Sequence, residues 1–202
     1  MIRILSVLVL TTSLSACISF LPEPETPDGL YRLGAVSAAE TISVPDTVLV
    51  RRPEASRHLA GADIIAENES GVLTIIRDAT WADNLPRLLQ MTLLDYVNSD
   101  GEGAALLPQT GTRPAYELVW RISNFQVRGE QAIVQGELTL LNGTTREPVS
   151  QVTLESTRIV EGNRTAQRVA ALSEAGKDFA RQSADFVAET MRASARGGPG
   201  AY

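Results

Sequence analysis

Two periodicities divide the chain. Tyr116, Leu118, Trp120 and Ile122 alternate with Glu117, Arg121 and Ser123, and period two predicts a strand with one core face. Arg128-Gly129-Glu130 turns the chain, Ala132 to Leu141 forms the next strand, and Asn142-Gly143 is a second turn signal. Val149 to Val160 returns, so three long strands predict an antiparallel meander. Upstream, Leu30 to Ala35 reads as a strand. Thr41 to Arg52 reads as another, with Val44, Val48 and Val50 on one face and Pro45 confining its start to an edge or a bend. Residues 63–66 and 72–76 are apolar runs separated by Glu67-Asn68-Glu69-Ser70-Gly71, the pattern of a β-hairpin.

The period becomes helical twice. Leu85, Leu88, Leu89, Thr92, Leu93, Tyr96 and Val97 form one stripe; Asp83 or Asn84 can cap it, and Pro86 suits its first turn. From Thr165 to about Ala193, Val169, Leu172, Gly176, Phe179, Ser183, Phe186 and Thr190 recur three and four apart, with Val187 beside them. The small Gly176 and Ser183 suit close approach to a sheet or another helix. The order β-β-β-β-α-β-β-β-α predicts an α+β fold, a largely antiparallel sheet with two main amphipathic helices packed on one face as a two-layer sandwich.

The first residues follow neither rule. Arg3 precedes an apolar run from Ile4 to Leu10 that is far shorter than the ~20 residues of a spanning helix. Small residues and then Cys17 follow, as in an export signal. Leu14-Ser15-Ala16-Cys17 resembles the bacterial lipobox, in which the cysteine thiol receives diacylglycerol, the preceding peptide is removed, and the new amino terminus takes a further acyl chain such as palmitate. Cys17 is the only cysteine, so no internal disulfide competes for it. Several acyl chains exceed the marginal anchoring of one. Ile18 in place of Asp, by resemblance to Gram-negative sorting rules, favours the periplasmic face of the outer membrane.

The expected layout is therefore a signal peptide at 1–16, a lipidated cysteine and Pro-rich tether at 17–28, a domain at 29–193 and a disordered tail at 194–202. Residues 18–28 hold Pro22, Pro24 and Pro27 and could span roughly 35 Å when extended. A net charge of -6 without a basic cluster argues against nucleic acid as a partner.

Catalytic signatures are nearly absent. His58 is the single histidine, which excludes a multi-histidine metal site, and no Gly-x-Ser-x-Gly elbow presents a serine. The loop Asn98 to Gly103 has calcium-loop spacing at Asn98, Asp100 and Glu102, but Gln109 stands where a bidentate Glu is needed. No catalytic residue, cofactor or metal is expected. Trp81 is the remaining candidate, either an interface anchor or a core residue folded under the first helix.

The run Ile76 to Gln90 resembles the Trp-Ala-(Asp/Glu)-x-Leu-Pro-x-Leu-Leu core of the ABC-type transport auxiliary lipoproteins, the PqiC-like family, here Trp81-Ala82-Asp83-Asn84-Leu85-Pro86-Arg87-Leu88-Leu89. Leu30-Tyr31-Arg32-Leu33, Val50-Arg51-Arg52-Pro53, Tyr116 to Phe125 and Ala166 to Met191 resemble the family's flanking segments, in order. Asp78-Ala79-Thr80 departs from it where an aromatic often stands. The resemblance implies a non-enzymatic auxiliary component of phospholipid or other hydrophobic-compound transport. Its partners would be a mammalian-cell-entry (MCE) substrate-binding protein and an ABC transporter permease and ATPase, and ring-like homo-oligomers are implied. Interaction residues expected on this basis are Trp81, Leu85 and Pro86. Two alternatives are a lipid-binding carrier and a structural or assembly lipoprotein of the envelope.

Overall fold

A computed structural model describes residues 29–98, 104–108, 111 and 113–196. Cys17, the tether at 18–28, residues 99–103 of the calcium-like loop and the tail from 197 lie outside the described residues. In chain order the elements are β1 (Leu30–Tyr31), β2 (Val48–Val50), β3 (Glu54–Ala55), β4 (Asp63–Glu67), β5 (Leu73–Trp81), α1 (Leu85–Asn98), β6 (Ala105–Leu106), β7 (Tyr116–Arg128), β8 (Gln131–Asn142), β9 (Pro148–Ile159) and α2 (Thr165–Arg196). Short 3-10 turns lie at Ala38–Glu40 and Arg57–Leu59.

The sheet is built around β7. One edge of β7 pairs antiparallel with β8 over its whole length, and β8 pairs with β9, giving the expected meander. Its other edge is tiled by three short parallel segments: Val48 lies opposite Tyr116, Glu54 opposite Arg121, and Ile65 opposite Gln126. The sheet is thus mixed though mostly antiparallel, with β5 beyond β4, β1 beyond β5 and β6 beside β2.

The expected strand Thr41 to Arg52 shrinks to Val48–Val50, and Leu30 to Ala35 to Leu30–Tyr31. A buried Pro53, which has no N–H to donate, separates β2 from β3. The pairing still reaches Arg51, whose N–H donates to Leu118 O at 3.1 Å and whose carbonyl accepts from Trp120 Nε1 at 2.6 Å. In the β4–β5 hairpin, Asn68 Oδ1 accepts from the N–H of Ser70 and Val72, and Gly71 turns with φ 78°. β5 then runs on to Trp81, through Asp78 at φ 62°; Asp is one of the few side chains that tolerate this region. α2 continues to Arg196, past the expected end.

The register of β7 shifts between Ile122 and Asn124, leaving Ser123 as an extra residue. Core side chains accordingly pass from even positions (Leu118, Trp120, Ile122) to odd ones (Phe125, Val127). Opposite the bulge stands Gly136. A Cβ there would lie 2.8 Å from both Phe179 Cζ and Arg121 O, so its absence admits Phe179 of α2, which stacks on Trp120 at 6.4 Å. Gly176 works in the same way, since a Cβ on it would lie 2.9 Å from Phe125 Cζ. Both helices bury most of the stripes expected of them, with Leu88, Phe186 and Thr190 half-buried. α1 contacts α2 and β6, and α2 packs across β5, β7, β8 and β9. Buried Gln90 ties α1 to the sheet by donating to Val50 O at 2.8 Å.

Candidate interaction surface

Trp81, Leu85 and Pro86 come together at the junction of β5 and α1, and all three are interior. Trp81 and Leu85 are each 2% exposed, and Pro86 is buried. The Trp81 ring meets Phe125 edge-on, with centroids 5.8 Å apart. Trp81 N–H donates to Ala62 O at 2.8 Å, Leu85 N–H to Gly61 O at 2.9 Å and Ala82 N–H to Tyr31 O at 2.8 Å. Asn84 is the cap, its Oδ1 accepting from Arg87 N–H at 3.2 Å, while Asp83 Oδ1 accepts from Asn84 N–H at 2.7 Å. The Trp-Ala core is therefore a joint that locks β5, β1, the 61–62 segment and α1 together. Trp81 Nε1 is buried without a hydrogen-bond partner. In this conformation the three side chains offer a partner almost no area.

The accessible chemistry lies on the sheet face turned away from the helices, where polar rungs cross β7. Glu117, 4% exposed, is held between Arg51 and Arg146. Arg121 pairs with Glu137 at 2.8 Å, and Gln151 donates to the same carboxylate at 2.8 Å. These hydrogen bonds, the Arg121 one largest, with its positive charge, hold the Glu137 carboxyl below the ordinary value. Asn124 donates to Gln135 Oε1 at 2.8 Å. Glu67 accepts from Gln126 and from Arg128, the latter ion pair at 2.7 Å. The sequence pattern assigns none of these residues to a site, although the alternation along β7 places Glu117 and Arg121 on the face opposite Leu118 and Trp120.

Apolar side chains fringe this polar field. Leu73 and Ile75 project from β5, and Val149 and Ile159 stand at the two ends of β9, with Ile75 57% and Ile159 64% exposed. A groove of about 430 Å³ runs beside the bulge, lined by Glu54, Ser56, His58, Arg121 and Ser123. His58 is exposed and its Nδ1 lies 3.2 Å from Ser56 Oγ. Among the described residues this serine hydroxyl is the hydrogen-bond contact of the His58 ring, and a serine–histidine pair activates its nucleophile when a further group orients the imidazole. Among the described residues no group of three or more His, Cys, Asp or Glu could hold a metal ion.

On the helix side a second ionic network fastens α2. Asp178 accepts from Ser156 Oγ at 3.0 Å, Arg181 at 3.0 Å and Gln182 at 3.1 Å, and pairs with Arg158 at 3.1 Å. Burial pushes its carboxyl up, but the hydrogen bonds and the Arg158 charge outweigh it and hold the group below its usual range. Glu40 pairs with Lys177 at 3.1 Å. The Ser37 backbone N–H, then Lys177 and the Ser37 hydroxyl, bring its carboxyl down to about 2. Tyr96, beside this cluster, is pushed up to about 12, chiefly by burial. Among the described residues no helix is long and apolar enough to cross a membrane.

The family whose model matches residues 31–184 is described as the ABC-type transport auxiliary lipoprotein component. A crystal structure of a Xanthomonas campestris protein of family DUF330 superposes with a TM-score of 0.72 at 19% identity, covering 83% of this chain and 99% of that one. An uncharacterised protein of known structure gives 0.65 at 15% identity over 80% and 99%. A hypothetical protein of Chlamydia trachomatis gives 0.50 at 9% identity over 73% and 99%. At these identities the likeness is one of fold. No curated protein matches the chain.

Proposed function

This chain belongs to the family of ABC-type transport auxiliary lipoprotein components, and from that premise we propose that it is a non-enzymatic docking subunit anchored to the periplasmic face of the outer membrane. Acylated Cys17 holds it there and residues 18–28 tether the domain. The domain meets the MCE substrate-binding protein of a system that moves phospholipids or other hydrophobic compounds, powered by its ABC permease and ATPase. The observation that carries this reading is the family match across the folded domain, joined to a lipobox ending at the only cysteine.

The surface chemistry supports a docking role. Each carboxylate of the polar rungs on the helix-free face, Glu67, Glu117 and Glu137, is paired with at least one arginine, so these rungs offer shape and hydrogen bonds rather than an unpaired carboxylate base. An accessory that docks needs this; a hydrolase needs the reverse. Self-association belongs to the same reading.

Affinity capture of the full chain from detergent-solubilised membranes tests the proposal. Recovery of an MCE-domain protein with its permease and ATPase is expected, and Cys17→Ala should move the folded chain from the membrane to the soluble periplasmic fraction and abolish transport. Capture that brings down neither component, or transport that survives release of the Cys17→Ala chain, overturns it.

A further inference from the structure

Four of the six large apolar side chains that stand exposed among the described residues lie at one corner of the sheet: Leu30 on β1, Val72 just before β5, and Leu73 and Ile75 on β5. The register places three of them on one face. Ile75 lies opposite Ile65 of β4, and Ile65 opposite Gln126 of β7, so Ile75 and Leu73 project on the helix-free side. Thr80 lies opposite Asp63, two residues before Ile65, and Leu30 lies opposite Thr80, which puts Leu30 on the same side. Residues 76–79 of β5 are taken up by a bulge that faces Ile64 alone. Leu30 therefore stands about 7 Å along the strands from the row of Ile75, where five residues of regular strand would set it at about 17 Å.

The strip is rimmed by exposed Asp63, Arg77 and Asp78, and an apolar patch inside a polar rim marks a contact with protein or membrane. Two observations select between them. Leu30, 70% exposed, is the most exposed of these side chains, and Cys17 lies only thirteen residues upstream of it. An anchor at Cys17 therefore gives this corner the shortest reach to a bilayer of any part of the domain. The strip is also wholly aliphatic, whereas the residues that dominate protein interfaces are Trp, Tyr and Arg, with Leu and Val under-represented. A net charge of -6 gives no attraction to anionic headgroups, so the contact has to come from apolar burial.

We propose that Leu30, Leu73 and Ile75 seat the domain on the lipid bilayer itself, entering its interfacial layer at headgroup depth. The proposal rests on the anchor at Cys17 proposed above. Three aliphatic side chains hold lipid weakly on their own, but a tether that is already attached to the bilayer makes the contact intramolecular and multiplies its occupancy. The charged rim keeps the insertion shallow. The seat also fixes an orientation. Leu73, Glu67, Arg128, Gln131 and Ile159 face one another in a single row across β5, β4, β7, β8 and β9. Ile159 therefore lies four strand spacings, about 19 Å, from the strip, and the β9 border of the sheet turns away from the lipid and stays open to protein partners.

Fluorescence quenching tests it, with the full acylated chain in vesicles of phosphatidylethanolamine and phosphatidylglycerol that carry brominated acyl chains. Acylation blocks the Cys17 thiol, so one introduced cysteine is the only site that takes a thiol-reactive fluorophore. The label at Ile75→Cys should be quenched several-fold more strongly than the label at Ile159→Cys, an exposed side chain on the opposite border. Adding Leu30→Ser and Leu73→Ser should lower the equilibrium constant of the contact by at least about tenfold, seen as loss of quenching at 75 with an unchanged melting temperature. Quenching should persist in about 1 M salt, where exposed charges are screened. Equal quenching at 75 and 159, no quenching at 75 in a chain that floats with the vesicles, or quenching that salt abolishes would each overturn the seat and leave the anchor standing. Shielding at 75 that appears only when co-captured membrane proteins are added would assign the strip to a protein and overturn the lipid contact. If Cys17 of the unsubstituted chain takes the label and the chain does not float, anchor and seat fall together.

Discussion

Replacing Trp81 separates a core residue from an interface anchor. Its side chain is 2% exposed and closes against Phe125 at the joint of β5 and α1, so Trp81→Ala should cost about 3–5 kcal/mol, the range for deleting a buried aromatic. With a urea slope of about 2 kcal/mol/M, the unfolding midpoint should fall by roughly 2 M. Trp81→Phe refines the prediction. It keeps a ring against Phe125 and removes the Nε1–H, which has no hydrogen-bond partner in the native fold. Since nothing is lost by deleting an unpaired buried donor, Trp81→Phe should be far milder than Trp81→Ala. Urea denaturation followed by far-UV circular dichroism measures both, free of the fluorescence change that losing a tryptophan brings. If Trp81→Ala shifts the midpoint by less than about 0.3 M while partner capture is lost, the ring is an interface anchor and the packing argument fails.

Two further outcomes follow from the fold. Gly136→Ala would bring a methyl to 2.8 Å from Phe179 Cζ and from Arg121 O, and because one neighbour is backbone the strain should cost about 1–3 kcal/mol; an unchanged melting temperature would show that α2 does not approach as closely as described. In acid, Glu40 is depressed to about 2 against an unfolded value near ~4.3. The stability it contributes is therefore present above that unfolded value and is lost as pH falls toward about 2. The melting-temperature gap between Glu40→Gln and the unsubstituted chain should be open at neutral pH and close across that interval. Asp178→Asn should follow the same direction, its carboxyl also being depressed, and a gap independent of pH would refute the ionic assignment.

The helix-free face gives the docking reading its physical content. Its polar rungs keep a broad sheet surface hydrated while Leu73, Ile75, Val149 and Ile159 supply apolar contact at its borders. The carboxylates of the polar field are already paired with arginine, so a partner's energetic gain would come chiefly from that apolar fringe, where desolvation is favourable.

Whatever depended on local pattern could be read in the sequence alone. The stripes of α1 and α2, the meander of β7, β8 and β9 and the turn at Asn68 to Gly71 need only neighbours a few residues away, and helix or strand periodicity and turn chemistry specify them. The tertiary structure decided what depends on distant partners. Thr41 to Arg52 has a convincing strand pattern, yet only Val48–Val50 pair as β2, because the edge of β7 is shared among β2, β3 and β4 and Pro53 breaks the path between the first two. The bulge at Ser123 inverts which positions of β7 face inward, and nothing in Arg121-Ile122-Ser123-Asn124 announces it; Gly136 opposite and Phe179 on α2 complete that geometry. Trp81 shows the division most clearly. The sequence marked it as special but allowed either surface or core, since an aromatic between strand and helix suits both. Only the arrival of Phe125 and the 61–62 backbone, far off in the chain, put it inside.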